Sequence, residues 1–377
     1  MRRVIFTVTN DVFTDQRVNK MAQTLQAMGF QPLIAGVMRK GSPPFCPEWA
    51  EVKRIPVWFQ KGLLFYAEFN LKLFFFLLFS KADLFVANDL DTLLPVHLVA
   101  RLRRKPLVYD THEYFTGSPE IEDRPFRCWF WKSLEKYLFP RQNTIITVNE
   151  SIAALYKKDF GKKLHVVRNM PRYRKPVEML SRTELGLPES QPIILLQGSG
   201  INVNRGTEEL IEAFLPEYGI GNALLLIIGD GNVMEQLKEK VKDLRLEKRV
   251  RFLPKMPYEQ LMQFTSNATI GVSLDKPGSL NYLYSLPNKL FDYIMAGTPV
   301  LVSDLPELSR IVKKYQVGKI AVDHDPATIA ASISEMLSNS VQLELWKSNC
   351  LQAAKELNWE KEEVVIRGIY KKVLEDN

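Results

Sequence analysis

The sequence has few of the features that define several protein classes. Its three cysteines are odd in number and far apart, so they form neither a disulfide framework nor a metal-ligand cluster. This usage fits a reduced, cytosolic setting. There is no low-complexity tract and no short internal repeat, as expected of an ordinary globular protein. No helix-turn-helix, finger or RNA-binding motif is visible, which argues against a nucleic-acid partner.

A long apolar run is also missing. The most apolar stretch, residues 63–79, is interrupted by polar side chains, and its uninterrupted part, residues 73–79, falls far short of the ~20 residues of a membrane span. The stretch therefore predicts either a core helix or an amphipathic helix lying on a bilayer. Near the start, the apolar run at residues 4–8 is too short for a signal peptide, and we interpret it as a first core strand.

The positive charge is concentrated in the first half of the chain. Residues 1–175 contain 28 Lys and Arg against 16 Asp and Glu, whereas the remainder contains 22 against 27, for an overall net charge of +7. Lys61, Lys72, Lys81 and the basic residues of 101–105 flank the apolar stretch. We therefore expect a peripheral contact between the first half and an anionic partner, such as the inner face of a membrane or a lipid-linked phosphate.

The order of apolar and helical patterns predicts an α/β protein. At 377 residues, with 46% hydrophobic and 25% charged residues, the chain is long enough for two domains. A buried strand at residues 3–8, a helix at 17–30 and a strand at 32–37 form a βαβ unit, which implies a parallel sheet. In such sheets, ligands bind beyond the carboxyl ends of the strands.

The linker between the domains is predicted near Pro171 and Pro176, where prolines and basic residues alternate. The predicted domains are therefore residues 1–175 and residues 176–358, followed by an amphipathic tail from Trp359.

The most informative segment is residues 286–300, which predicts a loop, a helix and a buried strand. Pro287 suits the first positions of a helix, where its missing N–H is no loss. The free N–H groups of Asn288 and Lys289 would then point out of the helix start and form an anion site. Asp292 lies one turn further on the same side as Asn288. The segment thus offers amides for a phosphate, a cation, and a carboxylate within reach of sugar hydroxyls, as a nucleotide-sugar pocket requires.

This segment resembles the donor-site signature of the family 4 retaining glycosyltransferases of the GT-B fold. The resemblance implies that Asp292 grips the ribose of the donor nucleotide. The family often has a second glutamate eight residues earlier, where this chain has Tyr284. It also implies two Rossmann-like parallel-sheet domains that face a cleft, with a C-terminal helix, residues 359–377, that crosses back to the first domain.

The glycine-rich segment from Gly198 to Gly206 resembles the family's phosphate loop. Arg205 occupies the position of the usual Lys, but Ser199 occupies that of the usual Arg, so one of the two diphosphate cations is missing. We therefore expect Arg205 to neutralise the leaving diphosphate together with Lys289 or another residue.

Two further turns belong to the donor site by the same resemblance. The turn at Gly229 follows a buried strand and is expected to face the same cleft. The turn at Lys255 and Met256 is expected to hold the nucleobase through backbone groups, so the identity of the base is not readable.

The first half contains a second candidate group. Residues 110–113 match the Asp-x-His-Glu form of a bacterial subgroup of the family, in which the His contacts the donor sugar near the anomeric carbon. The resemblance therefore implies a catalytic role for His112 and an acceptor-side position for Glu113. The pattern from Asp15 through Arg17 is similar to the family's first loop, which faces the acceptor and donor sugar; a solvated loop with a local ion pair is the alternative.

The sequence as a whole predicts a retaining glycosyltransferase that uses a nucleoside-diphosphate sugar. We expect a glycan or lipid-linked acceptor, as in cell-surface polysaccharide or glycolipid synthesis. Since no metal-ligand spacing is visible, we expect neither a metal nor another cofactor. The alternatives are a GT-B-fold nucleotide-sugar 2-epimerase and a degenerate, non-catalytic partner protein. A nicotinamide oxidoreductase is disfavoured because no Gly-x-Gly-x-x-Gly follows the first strand.

Overall fold

The computed structural model describes residues 1–13, 15–39, 41–42, 44–118, 121, 124–173 and 179–376. The chain divides into two units, the first formed by Met1–Asn169 and the residues from Glu362 onward, the second by Met170–Lys361. The boundary predicted between residues 175 and 176, and with it Pro176, lies outside the described residues. Each unit is built on one parallel sheet with helices, which confirms the predicted α/β class with two Rossmann-like domains.

The strands of the first unit form a seven-stranded parallel sheet within the described residues. They are β1 (Arg2–Thr7), β2 (Phe30–Met38), β3 (Glu51–Pro56), β4 (Leu84–Asn88), β5 (Leu107–Thr111), β6 (Thr144–Thr147) and β7 (His165–Val166). Their order is β3-β2-β1-β4-β5-β6-β7, so the direction of the chain through the sheet reverses between β1 and β4. Such a reversal opens a crevice at the carboxyl ends of the strands.

The helices that precede the second unit connect these strands. They are α1 (Gln16–Ala27), α2 (Gly62–Phe79), α3 (Leu90–Arg103), α4 (Pro125–Leu138) and α5 (Glu150–Phe160). The start of α1 is stabilised by Asp15, whose Oδ1 accepts a hydrogen bond from the N–H of Val18 at 3.1 Å. The predicted apolar stretch is α2, which packs one face into the unit and exposes the other.

The strands of the second unit form a six-stranded parallel sheet in the described part of the chain. They are β8 (Ile193–Gly198), β9 (Leu224–Gly229), β10 (Val250–Pro254), β11 (Ile270–Ser273), β12 (Val300–Ser303) and β13 (Gly318–Ala321). The order β10-β9-β8-β11-β12-β13 reverses between β8 and β11, and a second crevice is therefore expected at the carboxyl ends of these two strands.

The remaining helices cover the second sheet and end the chain. They are α6 (Thr207–Glu212), α7 (Met234–Asp243), α8 (Tyr258–Asn267), α9 (Leu280–Leu283), α10 (Asn288–Met295), α11 (Pro306–Tyr315), α12 (Pro326–Ser338), α13 (Ser340–Ala353) and α14 (Trp359–Glu375). From Glu362 onward α14 belongs to the first unit, where the Glu362 carboxylate accepts from Arg168 Nε and from its backbone N–H, both at 2.9 Å.

Two glycines allow the loops at the second switch point to pack closely. A Cβ on Gly229, which has a φ of +146°, would lie 1.7 Å from the carbonyl oxygen of Gly198 on the neighbouring strand. A Cβ on Gly206, with a φ of +69°, would lie 2.1 Å from the carbonyl oxygen of Leu274. Only glycine fits at either position. The second contact sets the residues before α6 directly against the end of β11.

Candidate functional site

The candidate site of the second unit is built around a carboxylate beyond the end of β11. Asp275 is fully buried, and its Oδ1 accepts a hydrogen bond from Arg205 Nη1 at 2.8 Å. Its Oδ2 lies 3.7 Å from Lys289 Nζ and accepts from Ser273 Oγ at 3.1 Å. One carboxylate therefore brings together the two cations that the sequence assigned to the leaving diphosphate.

Opposing effects set the ionisation of this cluster. Burial raises the pKa of Asp275, but Lys289 and Arg205 lower it more, so the net shift is downward and the group is a carboxylate at neutral pH. Burial lowers the pKa of Lys289, and Asp275 offsets this only in part. Burial also lowers the pKa of Arg205, but the charge and hydrogen bond of Asp275 raise it by more, so the net shift is upward. Two basic groups thus share one counter-ion, which favours binding of an additional anion.

The Arg205 side chain keeps hydrogen-bonding capacity for such an anion. Its guanidinium lies over the ring of Tyr282, 4.3 Å from the centroid, and this contact fixes the plane of the group. Its Nε is buried and has no hydrogen-bond partner among the described residues. An unsatisfied buried donor is costly, and a phosphate oxygen is the acceptor that best matches a guanidinium.

Asp292, the predicted ribose ligand, is held in a defined orientation on α10. Its Oδ1 accepts a hydrogen bond from Tyr258 Oη at 2.9 Å, and its Oδ2 accepts from Gln197 Nε2 at 3.3 Å. Gln197 is itself fixed, since its Oε1 accepts from Thr265 Oγ1 at 2.7 Å. The carboxylate is therefore positioned by groups from β8 and α8 before any ligand arrives.

The neighbouring Tyr293 fastens α10 to the sheet at the switch point. Its hydroxyl accepts from the N–H of Gln197 at 3.1 Å and lies 3.1 Å from the carbonyl oxygen of Leu195 and 3.2 Å from that of Val272. This hydroxyl thus ties the helix to both β8 and β11. A Cβ on Gly271 would lie 2.4 Å from the Tyr293 ring, so glycine is required beneath it.

The other predicted donor residues are distributed over three strand ends. Gly198 and Gly229 pair across the ends of β8 and β9, and Ser199 is exposed immediately beyond Gly198. Lys255 and Met256 follow β10 at the sheet edge, where Lys255 is exposed and Met256 packs against the core. Asn288, the first residue of α10, is also exposed.

The candidate site of the first unit is centred on His112, between two carboxylates. Its Nδ1 lies 3.2 Å from Asp89 Oδ2, and its Nε2 lies 3.5 Å from Asp110 Oδ2. The backbone N–H of His112 also donates to Asp89 Oδ1 at 2.8 Å. Burial lowers the pKa of His112, but Asp89 and Asp110 raise it more, to about 9. The ring is therefore an imidazolium at neutral pH, suited to hydrogen-bond donation and charge stabilisation rather than to base catalysis.

Asp89 has a strained backbone at this site. Its φ of 61° and ψ of 166° fall in a region that is nearly reserved for glycine. This backbone conformation is held by contacts of the Asp89 carboxylate, which binds both the backbone and the ring of His112. Burial is also the main cause of the raised pKa of Asp89.

Arg17, predicted on the acceptor side, is buried within the first unit. The side chain is only 3% exposed, and its Nε and Nη2 donate to Asp110 at 3.0 and 2.7 Å. Its Nη1 donates to the carbonyl oxygen of Val167 at 2.7 Å. Arg17 therefore orients Asp110, which in turn faces His112. Its acceptor-side assignment stays a prediction.

The remaining acceptor-side predictions occupy local structural positions. Asp15 caps α1, and Asn10 Nδ2 lies 3.5 Å from its second oxygen. Glu113 is half-buried in the loop after β5, and its carbonyl oxygen accepts from Thr111 Oγ1 at 2.7 Å. Neither position tests a contact with an acceptor, and both assignments stay predictions.

Three buried or strained carboxylates near these sites have no role in the sequence-based predictions: Asp275, Asp89 and Asp91. Burial and then the charge of Asp89 raise the pKa of Asp91 to about 7. The signal was present, because Asp89 directly follows the apolar strand β4, and Asp275 comes two residues after β11. No group of three or more His, Cys, Asp or Glu side chains within the described residues is arranged to hold a metal ion.

Two family profiles match the chain, one in each half. The profile described as Glycosyltransferase Family 4 matches residues 15–170, and the profile described as Glycosyl transferases group 1 matches residues 179–353. Together they cover both units.

Individual relatives are distant. The D-inositol 3-phosphate glycosyltransferase of Acidothermus cellulolyticus is 26% identical over 204 residues, which is 52% of this chain and 44% of that protein. The chitobiosyldiphosphodolichol beta-mannosyltransferase of Debaryomyces hansenii is 24% identical over 260 residues, 61% of this chain and 54% of the relative. The matches span about half the length of the curated relatives.

Solved structures match over the full chain length. Sucrose-phosphate synthase from Thermosynechococcus elongatus has a TM-score of 0.77 at 16% identity, with 100% of both chains covered. HepE from Anabaena, in complex with UDP and glucose, has a TM-score of 0.74 at 16% identity, also with full coverage of both chains. At this identity the similarity establishes the fold alone.

Proposed function

Because this chain belongs to the group 1 glycosyltransferases of the GT-B fold, we propose that it transfers a sugar from a nucleoside-diphosphate sugar to an acceptor hydroxyl. The observation that carries the proposal is the cluster in which Arg205 and Lys289 share the buried carboxylate of Asp275. Family membership alone would leave the chemistry open, since one fold hosts many activities.

In the proposed reaction, the second unit stabilises the departing diphosphate. Arg205 and Lys289 bind its oxygens, and the buried Nε of Arg205 gains the acceptor it lacks. Cationic side chains then do the work that a divalent metal does in other transferases, so we propose that no metal is required. The first N–H groups of α10 add partial positive charge at the same helix that contains Lys289.

Asp292 holds the ribose of the donor in this proposal. Its two oxygens already accept hydrogen bonds from Tyr258 and Gln197, and a carboxylate oxygen has lone pairs for more than one donor. In this proposal a ribose hydroxyl donates to the same carboxylate.

His112 acts in the first unit as an imidazolium that assists at the donor sugar. Its two carboxylate neighbours keep the ring charged and fixed, which suits donation to a sugar hydroxyl or to developing negative charge. We propose that the transfer retains the anomeric configuration, with front-face attack by the acceptor hydroxyl, as the family resemblance implies. A glycan or lipid-linked acceptor in cell-surface polysaccharide or glycolipid synthesis completes the proposal, with the protein in the cytoplasm.

The first test is a thermal-shift panel of nucleoside diphosphates and nucleotide sugars, with and without EDTA. A ligand at 100 times its Kd should add about 2.7 kcal/mol of stability. We expect stabilisation by diphosphates of one base, unaffected by EDTA. Loss of the shift in EDTA would contradict the metal-independent part, and no shift with any nucleotide would favour a degenerate partner protein.

A turnover assay separates transfer from epimerisation. The stabilising nucleotide sugar is incubated with and without glycan or lipid-linked acceptors, and released nucleoside diphosphate is measured together with the sugar configuration. Transfer predicts diphosphate release that depends on an acceptor. Conversion of the donor in the absence of any acceptor would instead identify a 2-epimerase.

A further inference from the structure

One side of helix α2 exposes a stripe of apolar side chains to solvent. Every fourth side chain from Phe65 to Leu77 is buried, but the opposite side of the helix exposes residues that are also apolar. Phe79 is 82% exposed and Leu71 60%. Exposed single apolar residues are ordinary, whereas a contiguous stripe marks an interaction site. We define the α2 face as Trp58, Phe59, Leu64, Leu71, Phe75 and Phe79.

Helix α4 packs against α2 and exposes further aromatic side chains. The rings of Tyr66 on α2 and Trp131 on α4 pack edge to face with centroids 5.1 Å apart, which sets the two helices side by side. Phe126 and Trp129 of α4 are exposed. Trp combines a large apolar ring with a polar N–H, and it is enriched where apolar and aqueous phases meet.

The geometry of α2 favours a position parallel to a membrane rather than across it. By length and composition, α2 is the one described helix apolar enough to span a bilayer. However, it connects β3 and β4, which belong to one sheet, and four of its side chains are buried in the core of the unit. An 18-residue helix held in this way presents a flat apolar strip about 27 Å long.

Positive charge borders the strip. Lys61 and Lys81 lie just beyond the two ends of α2, and both are exposed. Four of the eight residues from Leu98 to Lys105 are basic, and Arg103 Nη1 donates to the carbonyl oxygen of Leu77, which places this basic end of α3 at the end of α2.

The carboxylates of the same region are already compensated. Glu68 pairs with Lys72 at 2.6 Å, and Asp83 pairs with Lys105 at 3.4 Å. The border therefore keeps a net positive charge.

We propose that the α2 face docks this chain on an anionic lipid bilayer, with the aromatic and aliphatic stripe inserted among the acyl chains and the basic border against lipid phosphates. Charge complementarity selects this occupant, because a second copy of the chain would place the same basic border against itself. Anionic lipid adds attraction for each Lys or Arg near the surface. The inference stands apart from the proposed transferase activity, since it needs no donor or acceptor.

The test is cosedimentation of the full chain with vesicles, without nucleotide. Vesicles of pure phosphatidylcholine are compared with vesicles that contain phosphatidylglycerol. We expect the protein to bind the anionic vesicles, and to bind the neutral vesicles at least about tenfold more weakly. Phe75→Ser with Phe79→Ser should reduce binding at least about tenfold through lost apolar burial, as should Arg101→Glu with Arg104→Glu through reversed charge.

A matched control makes the same type of change at exposed apolar residues of α13. Val341 and Leu345 are exposed in the second unit, and their replacement by Ser should leave vesicle binding unchanged. The melting temperature of each variant shows that it is folded; the arginine pair is exposed and tests the surface even if the phenylalanine pair destabilises the unit.

Three results would overturn the proposal. These are absence of wild-type binding to anionic vesicles, undiminished binding by both variants, or a wild-type dimer that dissociates when Phe75 and Phe79 are replaced and that does not bind vesicles. The last result would assign the face to a second copy of the chain. None of them bears on nucleotide binding, which the thermal-shift panel measures separately.

Discussion

The substitution Asp275→Asn tests the central arrangement of the donor site directly. It keeps the shape of the side chain but removes the charge that Arg205 and Lys289 share at 2.8 and 3.7 Å. Without a ligand, two basic groups would then face each other with no counter-ion. We expect the free protein to lose stability and to regain a large part of it when a diphosphate supplies the missing negative charge.

The size of the loss follows from burial. Breaking a buried ion pair costs about 3–5 kcal/mol. Arg205 and Lys289 keep 24% and 13% of their side chains exposed, and water therefore screens part of the repulsion. We expect a loss of about 2–4 kcal/mol, which lowers the melting temperature of a domain of this size on the order of 5–10 °C.

The assay is thermal unfolding at pH 7 with and without a saturating nucleoside diphosphate. The matched control is Glu307→Gln, because Glu307 is a buried carboxylate of the same unit that pairs with Arg310 at 3.0 Å, on α11. Both variants should melt below the wild type. Only the Asp275→Asn deficit should shrink, by about half or more, when the diphosphate binds.

The stabilisation of the folded protein by Asp275 should depend on pH in a defined direction. The pKa of Asp275 is lowered from its ordinary value of 3.8, so its contribution to folding stability is fully present above that pH and disappears as the pH falls through the lower folded-state value.

A deficit in melting temperature at pH 7 that is the same with and without diphosphate would refute the idea that Asp275 stands in for the ligand charge. An unchanged melting temperature would refute the shared ion pair itself.

Three further predictions concern individual residues. Arg205→Ala should lower kcat by at least about tenfold, which is the scale of one lost preorganised donor. The control Arg251→Ala, at an exposed position of the same unit, should leave kcat unchanged. Equal turnover in wild type and Arg205→Ala would exclude a role of Arg205 in stabilising the leaving diphosphate. Asp292→Asn should weaken nucleoside diphosphate binding about tenfold in calorimetry and leave inorganic pyrophosphate unaffected, because only the former has a ribose; equal effects on both would argue against a ribose contact. The pKa of His112 is raised from 6.5 to about 9, so the stabilisation by its charge is fully present below pH 6.5 and is lost as the pH rises through 9. The difference in unfolding free energy between wild type and His112→Gln, measured in urea, should therefore fall across that window. A difference that does not change with pH would contradict the paired imidazolium.

The structural elements that the sequence predicted correctly are those whose context is local. Residues 286–300 contain the helix start, Lys289 and Asp292 in one continuous stretch, and α10 forms there as the pattern predicts. The strand ends were also accessible, because apolar runs followed by glycine or carboxylate are local patterns. The contacts that the sequence did not predict depend on distant partners. Arg17 has an acceptor-side pattern, but its partners Asp110 and Val167 are 93 and 150 positions away along the chain.

The buried carboxylate of the second unit was not predicted for the same reason. Asp275 reaches Arg205 across 70 positions, and neither residue signals the other in the sequence. Side-chain type also does not reveal which side of an apolar helix is covered. Residues 63–79 are apolar on nearly all sides, so only packing shows that Phe69 is buried and Phe79 exposed.

The sequence by itself determined the fold class, the order of its elements and the family, because apolar periodicity and a contiguous motif are properties of neighbouring residues. Tertiary structure alone decided which charges meet: Asp275 with Arg205 and Lys289, and Asp89 and Asp110 with His112. It also decided which face of α2 meets water. The physical reason is that ion pairing and burial depend on distances in space, and parallel strands bring together carboxyl ends that the chain separates by many residues.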